Sequence, residues 1–560
     1  MHALPDACDV LVVGAGAGGM AAAFAASHAG LDVVLVEKEA VVGGSTALSG
    51  GVIWAPGNGL FSGPREADPA HAALTYLRAE AGNRLDETLA RRFLDQVPRV
   101  IDFLVAQAGL HLVAPIYPDY HPALPGWSAG GRAVRPAPFD GRRLGADLAL
   151  LRQPLPAMLL LGGMMVSAED IVPLTQATRS PIAALAAMRL LGRYAADRLR
   201  HGRATRLTNG NALAGGLLHA LLARGVRPHT GVALQDILLK EGRAVGAVLA
   251  RRGAQHRIHA RRGVVLATGG VPHDTALRAE LGLAGIGPSL APRSATGDGV
   301  RAARAAGGTL RDDIASPVAW VPVSDVPISD KPGPDGGSTP YPHFFDRSKP
   351  GFLIVGRGGR RFASEALSYH DLGPLIAAQP GGEAFLICDQ RAMRRHGMGA
   401  ARPWPATNHA LRRNGYLIRE ATPEALAQRL GVDPGNLADT ITTWNLMAAR
   451  GEDPAFNKGG DAYQRHIGEA GHAPNPCIGP LSEPPFFAVR LRAGDIGTFA
   501  GLRVDGDARV LRADGTPIVG LHAVGNDMAS VMGGTYPGPG ITLGPGLTFG
   551  VLAAERLAAG

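Results

Sequence analysis

Four glycines near the N-terminus, Gly14, Gly16, Gly18 and Gly19, stand where a backbone can grip phosphate. The run Asp9-Val-Leu-Val-Val13 before them is apolar after its first residue, as in a parallel strand covered on both faces. Behind them the stretch Met20 to Ala29 is Ala-rich and helical in character, and a second apolar run, Leu31 to Val36, ends at Glu37. Gly14 suits the tight turn, Gly16 lets a pyrophosphate approach the backbone, and Gly19 lets helix and strand pack closely. The helix N-terminus offers N–H groups and the positive end of its dipole to phosphate. Glu37 is placed to accept hydrogen bonds from ribose hydroxyls. Strand, glycine turn, helix, strand and acid within about 30 residues predict a dinucleotide site.

Three further segments refine that reading. Gly43-Gly-Ser-Thr-Ala-Leu-Ser-Gly-Gly-Val-Ile-Trp54 is an extension that a nicotinamide site does not need. It resembles the second flavin-contacting segment of the flavoproteins related to fumarate reductase. Val264-Val-Leu-Ala-Thr-Gly-Gly270 looks like the strand that closes their FAD domain, and Ala295-Thr-Gly-Asp-Gly299 like the start of another of their helices. The resemblance implies FAD rather than NAD. It also implies an α/β fold: a Rossmann-like FAD-binding domain with an inserted α+β catalytic (cap) domain. Beyond the glycine turn and Glu37, it assigns cofactor contacts to Lys38, Gly43, Gly44, Ser45, Thr46, Ser49, Gly50, Gly51, Val232, Ala267, Thr268, Gly269, Asp298, Gly525, Asn526, Ile541, Thr542 and Leu543.

The most specific text is Gly525-Asn-Asp-Met-Ala-Ser-Val-Met-Gly-Gly-Thr-Tyr-Pro-Gly-Pro-Gly-Ile-Thr-Leu-Gly-Pro545. Its Tyr-Pro-Gly-Pro-Gly core resembles the 3-ketosteroid Δ1-dehydrogenases, and the resemblance runs from Asp9 to Ala558. It implies a 3-oxosteroid 1-dehydrogenase, which desaturates the 1,2 bond of a 3-oxo-4-ene steroid. Removing a proton alpha to a ketone builds negative charge on its oxygen, and aimed donors there lower the barrier. By the family's pattern those donors are the Tyr536 hydroxyl and the Gly540 N–H, in a loop stiffened by Pro537 and Pro539. The family's base is a tyrosine shortly after a G-[KR]-R-F-x-x-E text. Gly359-Arg-Arg-Phe-Ala-Ser-Glu365 is followed by Tyr369. An unperturbed tyrosine has a pKa near 10, so this base needs activation. An assisting tyrosine matches Tyr117-Pro-Asp-Tyr-His121 at Tyr120, with Tyr117 the alternative if the loop slips by a turn. The hydride goes to flavin N5, and the electrons go on to an acceptor such as a quinone. Glu365 and Arg361 read as structural ion-pair partners, and His121 and His370 as solvated histidines. The alternative is a sister flavoenzyme acting on another α,β-unsaturated carbonyl compound, as a Δ4-ketosteroid dehydrogenase or fumarate-reductase-like enzyme does. No paired arginines suit a dicarboxylate.

These residues must be positioned by a chain of 560 residues, long enough for two to four domains. Glycine contributes 77 residues, close to twice its usual share of roughly 7%. Charged residues make up 19% and apolar residues 46%, which excludes a disordered chain. The segmentation predicts an FAD-binding domain over 1–318, a catalytic or cap domain over 319–492, and a return to the FAD-binding domain over 493–560. The net charge of +8 gathers in Arg179 to Arg206, with seven arginines and one aspartate, so no nucleic-acid partner is expected. Residues 145–206 read as an insertion. In it, apolar Leu155 to Val166 precedes a helix with Ile182, Leu185, Met188, Leu191 and Tyr194 on one face, and Arg189, Arg193 and Arg200 on another. Segment 155–206 thus reads either as a peripheral membrane contact or as a helix packed on the FAD domain, with the apolar loop near the substrate entrance. Three separated cysteines predict no disulfide framework or metal site. With no signal segment and no spanning helix, the expected location is cytoplasmic, peripheral on the inner face of the cell membrane.

Overall fold

The computed structural model describes residues 3–64, 69–177, 180–328, 337–403 and 408–560. Arg179, counted in the basic stretch, lies outside them.

The first apolar run is strand β1 (Ala7–Val13), followed by helix α1 (Ala17–His28) and strand β2 (Val33–Glu37). Val10, Leu11 and Val12 are fully buried, as expected of a strand with both faces covered. Helices α2 (Pro69–Ala81) and α3 (Glu87–Ala108) follow. Asp86 caps α3 by accepting the Leu89 N–H at 3.0 Å. The insertion holds α4 (Ala168–Gln176) and α5 (Pro181–His201), and α6 (Asn209–Ala223) leads back to the sheet. Strands β3 (His229–Thr230), β4 (Ala233–Lys240), β5 (Arg243–Arg251) and β6 (Ala254–Leu266) come next, then α7 (Asp298–Ala305).

The chain then builds a second sheet. Its strands are β7 (Val318–Pro327), β8 (Ser338–Pro342), β9 (Phe352–Val355), β10 (Glu383–Cys388), β11 (Ile418–Glu420) and β12 (Phe486–Thr498), with helix α8 (Tyr369–Ala377) between β9 and β10. Finally β13 (Arg509–Leu511), β14 (Pro517–Ala523) and α9 (Leu543–Ala558) return to the first sheet.

The first sheet has the order β13-β14-β6-β1-β2-β3, with β5 hydrogen-bonded to β6 and β4 to β5. Its central pairs β1–β2, β1–β6, β6–β14 and β2–β3 are parallel. Residues about 250 positions apart thus meet where β1 and β6 end, at Val13 and Leu266. That is where an open parallel sheet presents a ligand crevice. The second sheet is antiparallel, ordered β8-β7-β12-β10-β9, with β11 on β12.

In α5 the apolar face read from the sequence points outward, contrary to the packed-helix alternative. Ala183, Ala187 and Asp197 face inward, while Ile182, Leu185, Met188 and Leu191 are exposed. Small side chains let this helix approach its neighbours closely, so the large apolar ones are left outside. Tyr194 follows the inner face, and its hydroxyl donates to the Leu161 carbonyl at 3.0 Å, tying the apolar loop to α5. No described helix is long and apolar enough to cross a membrane.

Candidate active site

The phosphate grip forms where β1 meets α1. A side chain at Gly19 would place its Cβ 1.9 Å from the Gly14 carbonyl oxygen, so turn and helix touch only through glycine. At Gly16, by contrast, the same atom would meet nothing closer than Thr46 Oγ1 at 3.9 Å, leaving open space at the helix end. Gly16 is the N-cap of α1 and supplies no side-chain acceptor. The glycine N-cap leaves room at the helix N-terminus, where N–H groups and the positive end of the dipole suit a pyrophosphate. The Gly43–Gly51 segment lies against this turn: the Thr46 hydroxyl accepts the Ala17 N–H at 3.0 Å, and the Gly43 N–H donates to Ala15 at 2.8 Å. Gly44 and Ser45 lead into the 3₁₀ turn at Thr46, and Ser49 closes it by donating to the Thr46 carbonyl at 2.8 Å.

At the ribose end, Glu37 accepts the Ala15 N–H at 2.9 Å and the Glu39 N–H at 3.0 Å, and burial pushes its pKa up. Val232 is buried beside it and donates its N–H to the Glu37 carbonyl at 2.9 Å. Lys38 reaches across to α7, ion-paired with Asp298 at 2.8 Å. Thr268, beside Ala267 and Gly269, donates its hydroxyl to Asp527 at 2.9 Å, which brings the end of β6 to the turn holding Gly525 and Asn526. Ile541, Thr542 and Leu543 lead into α9. These residues fit FAD.

The tyrosines converge from three distant parts of the chain. Tyr120 lies on a loop after α3, Tyr369 opens α8, and Tyr536 sits on the loop before α9. The hydroxyls of Tyr120 and Tyr369 are 3.2 Å apart. The Tyr120 and Tyr536 rings stack with centroids 5.7 Å apart, and the Tyr369 ring stands edge-on to Tyr536 at 5.0 Å. All three are buried. Burial drives Tyr369 and Tyr120 well above the usual phenol range and Tyr536 to about 12. Tyr117 is set apart, its ring against His466 at 6.0 Å.

Gly540 has φ +92°, and a Cβ there would lie 2.5 Å from the Val52 carbonyl oxygen. Its own carbonyl accepts the Trp54 N–H at 3.1 Å. Glycine is therefore required before any donor function is considered.

Several supporting residues escaped the sequence reading. Asp119 accepts the Trp54 indole N–H at 2.9 Å and Arg132 at 2.8 Å, all three buried. The Pro537 carbonyl accepts both the Tyr120 N–H and the Tyr76 hydroxyl at 2.8 Å, joining the Tyr120 and Tyr536 loops. Tyr463 packs on Tyr120 at 4.6 Å, and its buried hydroxyl has no partner among the described residues. Arg347 is fully buried; its Nε donates to the His343 carbonyl at 2.9 Å and its Nη1 to Leu367 at 2.6 Å, while Nη2 has no partner among the described residues. Asp119 stands inside the Pro-Asp-Tyr text and Trp54 ends the Gly43 segment, but neither carries a mark of what it would touch.

The histidine expectation fails. His370 is buried between Tyr536 and Phe499; its Nδ1 accepts the Trp320 N–H at 3.2 Å, and burial lowers its pKa to about 4. His121 is held between two carboxylates. Packing beside the tyrosine cluster shields His370 from solvent, while His121 is partly exposed and engaged by the carboxylates. Arg361 and Glu365 form a buried ion pair at 2.8 Å, extended by Asp453 and Lys458.

Residues 9–543 match the FAD binding domain family. The structure of 3-ketosteroid Δ1-dehydrogenase from Sterolibacterium denitrificans in complex with 1,4-androstadiene-3,17-dione superimposes with a TM-score of 0.89 at 35% identity, covering 99% of this chain and 100% of that one. The chain belongs to the 3-ketosteroid Δ1-dehydrogenase family of FAD-binding flavoproteins. FAD is its cofactor. Within this dehydrogenase family, the 3-oxosteroid 1-dehydrogenase of Mycobacterium tuberculosis (strain ATCC 25618 / H37Rv) is 35% identical over 98% of both chains. The 4-oxocyclohex-2-ene-1-carboxylate 5-dehydrogenase of Sinomonas cyclohexanicum is 38% identical over 99% of this chain and 94% of its own.

Proposed function

We propose that this flavoprotein desaturates the 1,2 bond of 3-oxo-4-ene steroids. The observation that carries the reading is the convergence of Tyr120, Tyr369 and Tyr536, the last on the same loop as Gly540. Tyr536 and the Gly540 N–H hold the substrate carbonyl and receive its developing charge. Ionised Tyr369 takes the proton from C2, and the Tyr120 hydroxyl donates to the phenolate from 3.2 Å. The buried tyrosine cluster excludes water from the transfer. Bound FAD supplies the hydride acceptor at C1. A quinone is the proposed final acceptor.

A second reading takes a monocyclic oxocyclohexene carboxylate, as the name of the Sinomonas relative describes for that protein. The buried Arg347 Nη2, without a partner among the described residues, is the cation such a carboxylate would seek. Anaerobic mixing of the yellow protein with androst-4-ene-3,17-dione, cholest-4-en-3-one and 4-oxocyclohex-2-ene-1-carboxylate separates the readings. Bleaching by either steroid, with a 1,4-diene formed in the presence of an artificial acceptor, is the expected result. Bleaching by the carboxylate alone replaces the first reading with the second.

We also propose a peripheral membrane contact through 155–206. Leu161, Ile182 and Leu199 are 69%, 83% and 89% exposed, an apolar surface edged by Arg189, Arg198 and Arg200 that suits an anionic lipid face. Arg402 donates to the Leu159 carbonyl at 3.4 Å, so this loop also touches the second-sheet part of the chain.

A further inference from the structure

His121 follows Tyr120 directly, and Asp371 lies two residues after Tyr369. The two side chains meet: His121 Nε2 is 2.8 Å from Asp371 Oδ2. On the other side of the ring, Nδ1 is 2.8 Å from Oε2 of Glu80, a buried carboxylate on α2. The backbone closes the arrangement. The His121 N–H donates to the Tyr76 hydroxyl at 3.1 Å, and that hydroxyl donates to the Pro537 carbonyl beside Tyr536. Asp371 also accepts from Ser368, the N-cap of α8, at 2.7 Å. One side chain therefore ties together the loop of one site tyrosine, the helix of another and α2.

We propose that His121 is a positioning residue for proton abstraction: its imidazolium bolts the Tyr120 loop to the Tyr369 helix and cancels the charge of two carboxylates set behind the tyrosine pair. The proposal rests on the reading in which Tyr369 is the base. Burial by itself would lower the imidazole pKa; Asp371 and then Glu80 overcome it and hold the group up to about 10. The groups facing it are Glu80 and Tyr76 from α2, and Asp371 and His370 from α8, with the Arg347 guanidinium also acting on Asp371 and Tyr120. A neutral replacement leaves two carboxylates uncompensated. Negative charge near a phenol disfavours its ionised form, so the base would then need a higher pH to act.

The test uses the His121→Gln and Glu80→Gln holoenzymes. Anaerobic flavin reduction by androst-4-ene-3,17-dione is followed from about pH 6 to about pH 10, with thermal unfolding measured across the same range. We expect His121→Gln to keep FAD, to slow reduction on the order of tenfold at neutral pH through loosened geometry, and to shift the rising limb of the pH profile upward. Glu80→Gln removes one negative charge and leaves His121 paired with Asp371, so its limb shifts downward. A His121→Gln profile that coincides with wild type overturns the proposal, as does a Glu80→Gln limb that shifts upward or stays in place; the latter decides the matter if His121→Gln does not fold. Failure of wild-type reduction by the steroid counts against the functional reading instead. Thermal unfolding then decides on its own. The folded pKa is raised, so the wild-type advantage over His121→Gln is full below about pH 6.5 and lost as pH rises through about 10. An advantage that stays flat across that range overturns the proposal.

Discussion

At the scale of single residues, the site combines buried phenols with few charges close enough to ionise them. Tyr369 is pushed well above its ordinary range first by burial, then by Tyr120 and Tyr536. Flavin reduction should therefore rise with pH across the neutral and mildly alkaline range, since the active base is the ionised form. A stopped-flow profile that is flat from about pH 6 to about pH 9 would contradict a tyrosine base. Tyr369→Phe should slow reduction by roughly 10² to 10⁴ while FAD remains bound, the range expected for loss of a general base. Tyr536→Phe removes one carbonyl donor and should cost roughly 10² to 10³ in kcat. Loss of FAD in either variant, read from the absorbance of the purified protein, would mean that the tyrosine is structural.

At the scale of elements, the site depends on loops that hold one another. Tyr120 and Tyr536 are on separate loops, and the Pro537 carbonyl and the Asp119–Arg132–Trp54 group keep them in register. Asp119→Asn weakens this buried ion pair and should destabilise the protein by about 1.5–3 kcal/mol, the worth of a hydrogen bond to a charged group, measurable as a lower denaturant midpoint. Gly540→Ala has no room for its Cβ, so it should displace the loop and abolish activity even though the lost donor is a backbone group. The Pro-Asp-Tyr text is legible as a loop that delivers a tyrosine. What the aspartate grips was not legible, because Trp54 and Arg132 reach it only through folding.

At the scale of the whole molecule, charge and apolar surface coincide at the insertion. The outward Ile182, Leu185, Met188 and Leu199 of α5 lie beside arginines on the same helix. Ile182→Ser with Leu199→Ser should reduce flotation with anionic vesicles several-fold, and raised salt should reduce wild-type flotation as exposed charges are screened. Equal flotation of variant and wild type would remove the membrane proposal.

The glycine surplus that marks the composition has a local cause. Residues 14–59 and 533–550 hold eighteen glycines, at the two places where backbone must lie against a ligand or another backbone. Those positions and the βαβ unit were legible in the sequence because each depends on local spacing: a turn needs glycine here, a helix starts there; the three tyrosine texts were legible only through their resemblance to a known family. Three further features were decided only in three dimensions. They are the placement of His121 between Glu80 and Asp371, the outward face of α5, and an Arg347 Nη2 without a partner among the described residues. Periodicity shows that a helix has an apolar side but not which side its neighbours leave room for. A histidine beside the proposed assisting tyrosine likewise looks solvated until residues 41 positions before it and 250 after it flank the ring.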